Sequence, residues 1–333
     1  MRHRRPLSLS CCVLVAVGGA AERGAREHEP ASVEELGALF GEAAEQVADP
    51  GKVDRPGCNG VLVPDQGRFG GRVALTFDDG PNPETTPEIM ALLRERNIPA
   101  TFFVNGDRVI DEVNVDTGQL YLDPERLGLV REIVDEPLFV LANHTYSHPR
   151  SPFLDQLPPQ QIAFEIDATT AVMEEAGARP RWFRFPYGRA TCETADAVRS
   201  RGYTIVGWHI DSADWCYAGG GGTCRWDRLP EPYRDDMHGF VMDQVRAHDG
   251  GIVLLHDIHR FTADSLERIL DSLEAEGFTF TKIDDVETFP RLNGVSPAPE
   301  PFVGHPCDDH DECGFHPDAY CFSTAPDAPG FCT

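Results

Sequence analysis

The chain has 333 residues, of which 41% are hydrophobic and 25% are charged, and its formal net charge is −26. This length suits one barrel-sized domain with appended segments. The acidic balance excludes general nucleic-acid binding, because no basic stripe is present to release phosphate counterions, and it is typical of a soluble or salt-tolerant secreted protein.

The first 21 residues are predicted to be a secretory signal peptide. A basic start precedes the apolar stretch Pro6–Ala21, which is too short to span a bilayer and ends in small residues. Cys11 and Cys12 lie inside it without the small-residue pattern of a lipid-attachment site, so a lipoprotein is the less favoured alternative. We expect a secreted, periplasmic or cell-envelope protein without a membrane span. Residues 22–71 form a polar N-terminal extension, either a packed helix or a spacer.

Residues 72–290 alternate between two kinds of segment. Strand-like runs lie at Val73–Phe77, Ala100–Val104, Phe139–Ala142, Trp182–Phe185, Tyr203–Ile210, Gly251–Leu255 and Phe278–Ile283. Segments of helical period lie between or after them, at Pro87–Asn97, Pro124–Glu136, Pro158–Gly177, Glu193–Gly202, Asp235–His248 and Thr262–Gly277. This alternation predicts an α/β fold with a parallel sheet, and seven strands suit a barrel as well as an open sheet.

Polar residues follow the carboxyl ends of several of these strands. They are Asp78 and Asp79, His144, Arg184, Asp211 and Asp214, and His256 and Asp257. Because α/β barrels carry their active sites at this end, we expect these side chains to meet in one site.

The pair Asp78-Asp79 and the motif His144-x-x-x-His148 together indicate a metal site. Catalytic zinc usually takes three protein ligands and leaves a fourth position for water, whose pKa it lowers. Both histidines and one aspartate supply that set, and the other aspartate is then available as a general base. The residues alone leave the order of the aspartates open.

Simpler interpretations exist for each feature taken alone. Asp-Asp-Gly-Pro at a strand end is a turn signal, and a single His-x-x-x-His is more often a chance pair. In the same simpler interpretation, Arg184 belongs to a surface ion pair, and Leu254 and Trp215 are ordinary core residues. The coincidence of several polar clusters at strand ends favours the site.

The chain resembles polysaccharide deacetylases of the NodB-homology type, which form carbohydrate esterase family 4. The resemblance covers about Arg72 to Pro290. It rests on five motifs in order: Thr76-Phe77-Asp78-Asp79-Gly80-Pro81, His144-Thr145-Tyr146-Ser147-His148, Arg184-Phe185-Pro186-Tyr187, Asp211-Ser212-Ala213-Asp214-Trp215 and Ile252-Val253-Leu254-Leu255-His256-Asp257. It implies a distorted (β/α)7-type barrel with one divalent metal.

The resemblance also implies a role for each site residue. Asp79, His144 and His148 would hold the metal, most often Zn²⁺ with Co²⁺ as an alternative. Asp78 would be the general base, paired with Arg184. The backbone N–H of Tyr187 would stabilise the oxyanion, and His256 would be the general acid, tuned by Asp214 with Asp211 as second choice. Trp215 and Leu254 would wall a pocket for the acetyl methyl group.

Eight cysteines remain after the signal peptide, an even number consistent with disulfides in an oxidising compartment. Cys216 and Cys224 are predicted to close the Gly219–Gly222 loop, with Trp226 and Tyr217 as candidate sugar-stacking surfaces. This pairing leaves Cys58 for Cys192. A Pro-rich linker at residues 291–306 leads to a tail at 307–333, which is too short to build a core without disulfides. We predict a small disulfide-rich C-terminal module whose role is open.

These features predict a secreted, metal-dependent hydrolase that removes acetyl groups from N-acetylglucosamine units of chitin, chitin oligosaccharides or peptidoglycan. The expected partner is an N-acetylated polysaccharide or oligosaccharide, and the expected state is a monomer. An acetyl xylan esterase is one alternative. A non-catalytic carbohydrate-binding surface protein is the other, although such a protein would have no reason to keep an acid, a base and a metal set.

Overall fold

The fold is organised around one parallel β-sheet. The computed structural model describes residues 7–8, 14–17, 69–114, 118–179, 181–226, 229–294, 306–307, 321–322 and 330–332. The strands of the main domain are β1 (Arg72–Gly80), β2 (Ala100–Val104), β3 (Ile110–Asn114), β4 (Gln119–Leu122), β5 (Phe139–Asn143), β6 (Trp182–Phe183), β7 (Thr204–Ile205), β8 (Ile210–Asp211), β9 (Gly250–His256) and β10 (Thr279–Phe280).

The sheet has the order β8-β9-β1-β2-β5-β6-β7, and β10 pairs with the first two residues of β1. All of its pairs are parallel. Its two edge strands, β7 and β8, are separated in sequence by residues 206–209 alone. The sheet therefore curls until its edges are joined by a short covalent link, which confirms the predicted distorted (β/α)7-type barrel.

Seven α-helices are found in the described part of the chain. They are α1 (Thr86–Glu95), α2 (Pro124–Asp135), α3 (Pro159–Glu175), α4 (Cys192–Ser200), α5 (Asp214–Gly219), α6 (Met237–His248) and α7 (Arg260–Ala275). Side-chain oxygens cap three of them: Asp123 accepts from two amides of α2, Thr191 from Thr194 N, and Asp236 from Gly239 N. Such caps satisfy backbone donors that the first turn of a helix leaves unpaired.

Strand β1 shows how alternation directs side chains to two sides of the sheet. Val73, Leu75 and Phe77 are buried in the main core, which also contains residues of α1 and α7. Ala74 belongs to a second cluster, together with residues of β2, β5 and β9. By the two-residue period of a strand, Thr76 and Asp78 share the side of Ala74. The interior of the curled sheet thus becomes polar toward its carboxyl end.

The structure differs from the predicted elements in three places. The run Tyr203–Ile210 is not one strand but the two short strands β7 and β8, which pair with different neighbours. The segment between β2 and α2 contains the antiparallel pair β3–β4. The short helix α5 begins at Asp214, within the fourth motif. This helix was not predicted, because the glycines that follow the motif disfavour a helix.

The outer parts of the chain fall mostly outside the described residues. Short strands lie at Leu7–Ser8, Leu14–Val17, Pro306–Cys307, Cys321–Phe322 and Gly330–Cys332. The signal peptide, the N-terminal extension, the linker and the Cys-rich module therefore remain predictions, as does the pairing of Cys58 with Cys192. None of the helices in the described ranges combines the length and the apolar composition needed to cross a membrane.

Gly250, the first residue of β9, provides a test of the close approach between β9 and β1. Its φ is +110°, and an added Cβ would lie 2.2 Å from the carbonyl oxygen of Arg72. Because the clash is with main chain and the φ disfavours a side chain, Gly250→Ala should lower the free energy of unfolding by about 2 kcal/mol or more in urea titrations.

Gly128, inside α2, is the matched control. An added Cβ there meets no heavy atom within 4 Å. Gly128→Ala should therefore be neutral or stabilising by about 0.5–1 kcal/mol, since alanine has the higher helix propensity. Equal unfolding free energies for the two variants would contradict the account of Gly250.

Candidate active site

Three side chains from two strand ends form a cluster that could hold a metal ion, which we call the metal triad: Asp79, His144 and His148. Asp79 Oδ1 lies 3.5 Å from His144 Nε2 and 3.6 Å from His148 Nε2. Asp79 comes from the end of β1, and the histidines from the loop after β5. The structure thus brings together the three residues that the sequence predicted as ligands.

The donor set of the metal triad fits a divalent cation such as Zn²⁺. Asp79 Oδ1 is buried and has no hydrogen-bond partner among the described residues, which would be costly without a cation. His144 Nδ1 lies 2.9 Å from the carbonyl oxygen of Arg184. Because that carbonyl can only accept, Nδ1 carries the proton and Nε2 keeps its lone pair toward Asp79. Burial lowers the pKa of His144 to about 3, which keeps its imidazole neutral.

The loop that carries both histidines is held in an unusual backbone conformation. Thr145 and His148 have φ values of 72° and 50°, which non-glycine residues adopt only when the surroundings enforce them. Asn143 Oδ1 accepts from Thr145 N at 2.9 Å, and Thr145 Oγ1 accepts from His148 N at 3.2 Å. Asn105 Nδ2 donates to His144 O at 2.7 Å. These bonds fix the separation of the two imidazoles.

Glu165 is a buried acid that also holds this loop, and it is not among the site residues predicted from the sequence. It lies on α3, and its two carboxylate oxygens accept from Ser147 N at 2.8 Å and Ser147 Oγ at 2.6 Å. Burial raises the pKa of Glu165 to about 7, although the bonds from Ser147 act to lower it. The sequence did carry a signal for it, namely a glutamate among the apolar positions of α3. An acid is almost never fully buried without a partner, so a glutamate at such a position indicates a specific contact.

Asp78 and Arg184 form a buried ion pair inside the curled sheet. Arg184 Nη1 donates to Asp78 Oδ1 at 2.7 Å, and both side chains are almost fully inaccessible to solvent. Asp78 Oδ2 lies 3.6 Å from His144 Nε2, next to the metal triad. Burial raises the pKa of Asp78 to about 6, although Arg184 and His256 act to lower it. Arg184 is therefore not a surface residue.

His256 and Asp214 form a second buried pair at the same end of the sheet. His256 Nδ1 lies 2.7 Å from Asp214 Oδ1, and His256 N and Thr262 Oγ1 both donate to Asp214 Oδ2 at 2.7 Å. Burial alone would lower the pKa of His256, but the Asp214 carboxylate raises it to about 10. Asp211, the second choice, instead accepts from Ala213 N at 2.8 Å. The geometry thus places Asp214, not Asp211, on the imidazole.

The remaining predicted site residues surround this centre in different ways. Tyr187 follows Pro186 with a φ of 58°, and its half-exposed ring packs on His148 at a centroid distance of 4.4 Å. Leu254 is buried in β9, directly opposite Thr76 of β1. Trp215 is 42% exposed, so it is not a core residue.

The loop after Trp215 is closed by a disulfide between Cys216 and Cys224. Tyr217, which the sequence had suggested as a sugar-stacking surface, is fully buried, and its hydroxyl donates to the carbonyl oxygen of Tyr233. That suggestion is wrong, because α5 turns the ring toward Phe261. Trp226 is partly buried and remains at the surface of the loop.

Comparison with known proteins identifies the family. The chain matches the family model described as Polysaccharide deacetylase over residues 67–206, which contain the metal triad, Asp78 and Arg184. The peptidoglycan-N-acetylglucosamine deacetylase PgdA of Listeria monocytogenes is 33% identical over 218 residues, which cover 65% of this chain and 38% of that protein. The chain thus spans well under half the length of this relative.

Two further relatives are covered over most of their length. A chitooligosaccharide deacetylase of Bradyrhizobium sp. is 34% identical over 187 residues, which cover 56% of this chain and 70% of that protein. The structure of a family 4 acetyl xylan esterase from Clostridium thermocellum, in complex with a cobalt ion, is 28% identical with a TM-score of 0.50 and covers 68% of this chain and 93% of that one. The chain belongs to the polysaccharide deacetylase family.

Proposed function

We propose that this protein is a secreted, metal-dependent deacetylase that hydrolyses the N-acetyl groups of N-acetylglucosamine units in chitin, chitin oligosaccharides or peptidoglycan. The observation that carries the proposal is the arrangement at one end of the barrel. A partly buried Asp-His-His set lies beside a carboxylate fixed by an arginine and near an imidazole fixed by a second carboxylate. Metal ligands, a base and an acid are the groups that metal-assisted hydrolysis of an amide uses.

Asp79, His144 and His148 would hold the ion, Zn²⁺ or alternatively Co²⁺. Such an ion supplies a Lewis acid that polarises the acetyl carbonyl and acidifies a water molecule. The cobalt ion named with the Clostridium relative supports a divalent metal in this family. The protein's own contribution is to keep the ligands neutral or anionic and their lone pairs directed at one point.

Asp78 would be the general base. Arg184 fixes its Oδ1, which leaves Oδ2, on the side of His144, to accept a proton from the attacking water. Its pKa of about 6 is near neutral, so the group is largely ionised at neutral pH and still basic enough to take a proton. Asp79 has the different task of ligation, because its Oδ1 faces both histidines.

His256 would be the general acid that protonates the leaving amine. With a pKa raised to about 10, it carries a proton throughout the neutral range. Asp214 holds Nδ1, so Nε2 remains the nitrogen available to the substrate. Asp214 is thus a positioning residue that also stabilises the imidazolium.

The substrate contacts complete the proposal. The backbone N–H of Tyr187 would stabilise the oxyanion, and Pro186 restricts the turn that presents it. Leu254 and Trp215 would enclose the acetyl methyl group. The names of the Listeria and Bradyrhizobium relatives support an N-acetylated glycan as substrate, whereas the Clostridium relative supports acetylated xylan as the alternative.

The first test measures acetate released from N-acetylglucosamine oligomers. Asp78→Asn should lower kcat by about 100-fold or more and keep the metal, because positioned proton transfer typically contributes 10²–10⁴. Asp79→Ala should instead lose the metal, as measured by bound Zn²⁺ after gel filtration.

Chelation should abolish acetate release by the wild-type protein, and added Zn²⁺ or Co²⁺ should restore it.

Two outcomes would count against this assignment. If Asp78→Asn lost Zn²⁺ and Asp79→Asn retained it, the roles of the two aspartates would be reversed. Release of acetate from acetylated xylan alone, with none from amide substrates, would support the esterase alternative.

The pair His256–Asp214 gives a prediction on pH dependence. A general acid is active while protonated, so the alkaline limb of kcat/KM follows the pKa of His256. Asp214→Asn removes the charge that raises this pKa, so the limb should move to lower pH by roughly 1–3 units. Asp211→Asn is the control, since Asp211 does not contact the imidazole. An unmoved limb in Asp214→Asn would exclude His256 as the acid.

Glu165 gives a prediction on metal affinity. Glu165→Ala leaves Ser147 N and Oγ without their acceptor and should weaken Zn²⁺ binding about 10–100-fold in chelator competition, the usual effect of losing an outer contact. Glu165→Gln should retain part of the affinity, because its amide can still bond to Ser147. Glu174→Ala on the same helix, at an ion pair with the exposed Arg179, should leave the Zn²⁺ affinity unchanged. Wild-type affinity in Glu165→Ala would show that the loop holds His148 unaided.

A further inference from the structure

The loop between α5 and α6 carries a groove beside the candidate active site. Its lining includes Trp215, Trp226 and Arg225, together with Cys216, Gly220 and Thr223. Trp215 directly follows Asp214, whose carboxylate holds His256, so one end of the groove adjoins the proposed acid. The indoles of Trp215 and Trp226 meet edge to face at a centroid distance of 5.7 Å. The Cys216–Cys224 disulfide fixes the loop between them.

Arg225 is unusual for its charge environment. The chain has 55 acidic and 29 basic residues, and most of the described arginines form ion pairs with carboxylates. Arg225 is exposed, and no carboxylate of the described residues lies within ion-pair distance of it. A cation that lines a groove and has no ion-pair partner among the described residues can offer its charge to a ligand.

Two other exposed arginines near the metal triad share this property. Arg108 follows a loop whose Gly106 and Asp107 amides donate to the carbonyl oxygens of Thr145 and Tyr146, between the two histidines. Arg150 lies two residues after His148. Neither forms an ion pair with a carboxylate within the described ranges. Three exposed arginines without a described carboxylate partner therefore lie in the groove and near the metal triad.

We propose that the groove lined by Trp215, Trp226 and Arg225 binds a carboxylate-bearing sugar next to the N-acetylated residue under attack. This inference rests on the proposed deacetylase function and names its substrate class. The flat face of an indole packs against the C–H groups of a pyranose ring, and a guanidinium matches a carboxylate with two parallel hydrogen bonds. Chitin and acetylated xylan backbones present no carboxylate. Glycan strands of peptidoglycan do, on the lactyl ether of N-acetylmuramic acid, wherever no stem peptide is amide-linked to that carboxyl group.

The test compares two substrates that differ only at the carboxylate. One is an oligomer of alternating N-acetylglucosamine and N-acetylmuramic acid, and the other is the same oligomer with its carboxylates reduced to alcohols. The wild-type protein should show the higher kcat/KM for the acidic oligomer, and this preference should shrink as the ionic strength rises. Arg225→Gln should lower the ratio of the two kcat/KM values about tenfold, the size expected for one charge-assisted contact in a solvated groove.

Two further variants test the paired hydrogen bonds of Arg225 and control for the loss of an exposed arginine. Arg225→Lys keeps the charge but not the paired hydrogen bonds, so its ratio should be intermediate. Arg268→Gln on α7 also removes an exposed arginine without a described ion pair, and it should leave the ratio unchanged. A wild-type protein that does not distinguish the two oligomers, or an Arg225→Gln variant that keeps the full preference, would overturn the inference.

Calorimetric binding of the two oligomers separates this inference from the proposed function. If no substrate releases acetate but binding still prefers the acidic oligomer in an Arg225-dependent manner, the deacetylase function fails and the groove assignment stands. If both oligomers are deacetylated and bound equally well, the function stands and the groove assignment fails.

Discussion

The buried guanidinium of Arg184 is the interaction on which the rest of the site depends. The guanidinium neutralises Asp78, donates to Thr76 Oγ1 at 2.8 Å and donates to Gly207 O at 2.8 Å. The main-chain carbonyl oxygen of Arg184 orients His144. Phe103 lies against its plane at 4.1 Å. One residue therefore sets the position of the proposed base through its side chain and the tautomer of a proposed ligand through its main chain. A buried charge with this many partners cannot lose one without leaving another unpaired.

The second constraint is that every group of the site must reach the same end of the sheet by a short path. Parallel strands deliver their carboxyl ends to one edge, and the residues just beyond them then adopt strained conformations. Asp79, Thr145, His148, Tyr187 and Ala213 all have positive φ values in or beside the five motifs. Such strain persists where the surrounding bonds over-determine the backbone. The conformations that aim the side chains are thus maintained by the folded barrel, and no local preference of these residues would produce them.

Much of this arrangement was predictable from the sequence. Alternating strand-like and helical segments predicted a parallel α/β fold, the resemblance to NodB-type deacetylases implied the barrel, and the polar residues at strand ends indicated the site. The residues alone did not order Asp78 and Asp79, because the strand ends in a bulge there and simple alternation no longer applies. Glu165 was missed for a different reason. Its partner is a main-chain amide and a serine from another segment, and a single sequence carries no record of such pairs.

The split of Tyr203–Ile210 into β7 and β8 has a consequence for how the barrel opens. Residues 206–209 connect the two edge strands of the sheet, and Arg184 donates to the carbonyl oxygens of Val206 and Gly207 in this segment. Closure of the barrel and anchoring of the base therefore share one set of bonds. Local unfolding starts where few strand pairs hold the chain. Local opening of residues 206–209 would break the contacts that hold the Arg184 guanidinium. The protein would then lose activity through a fluctuation far smaller than global unfolding.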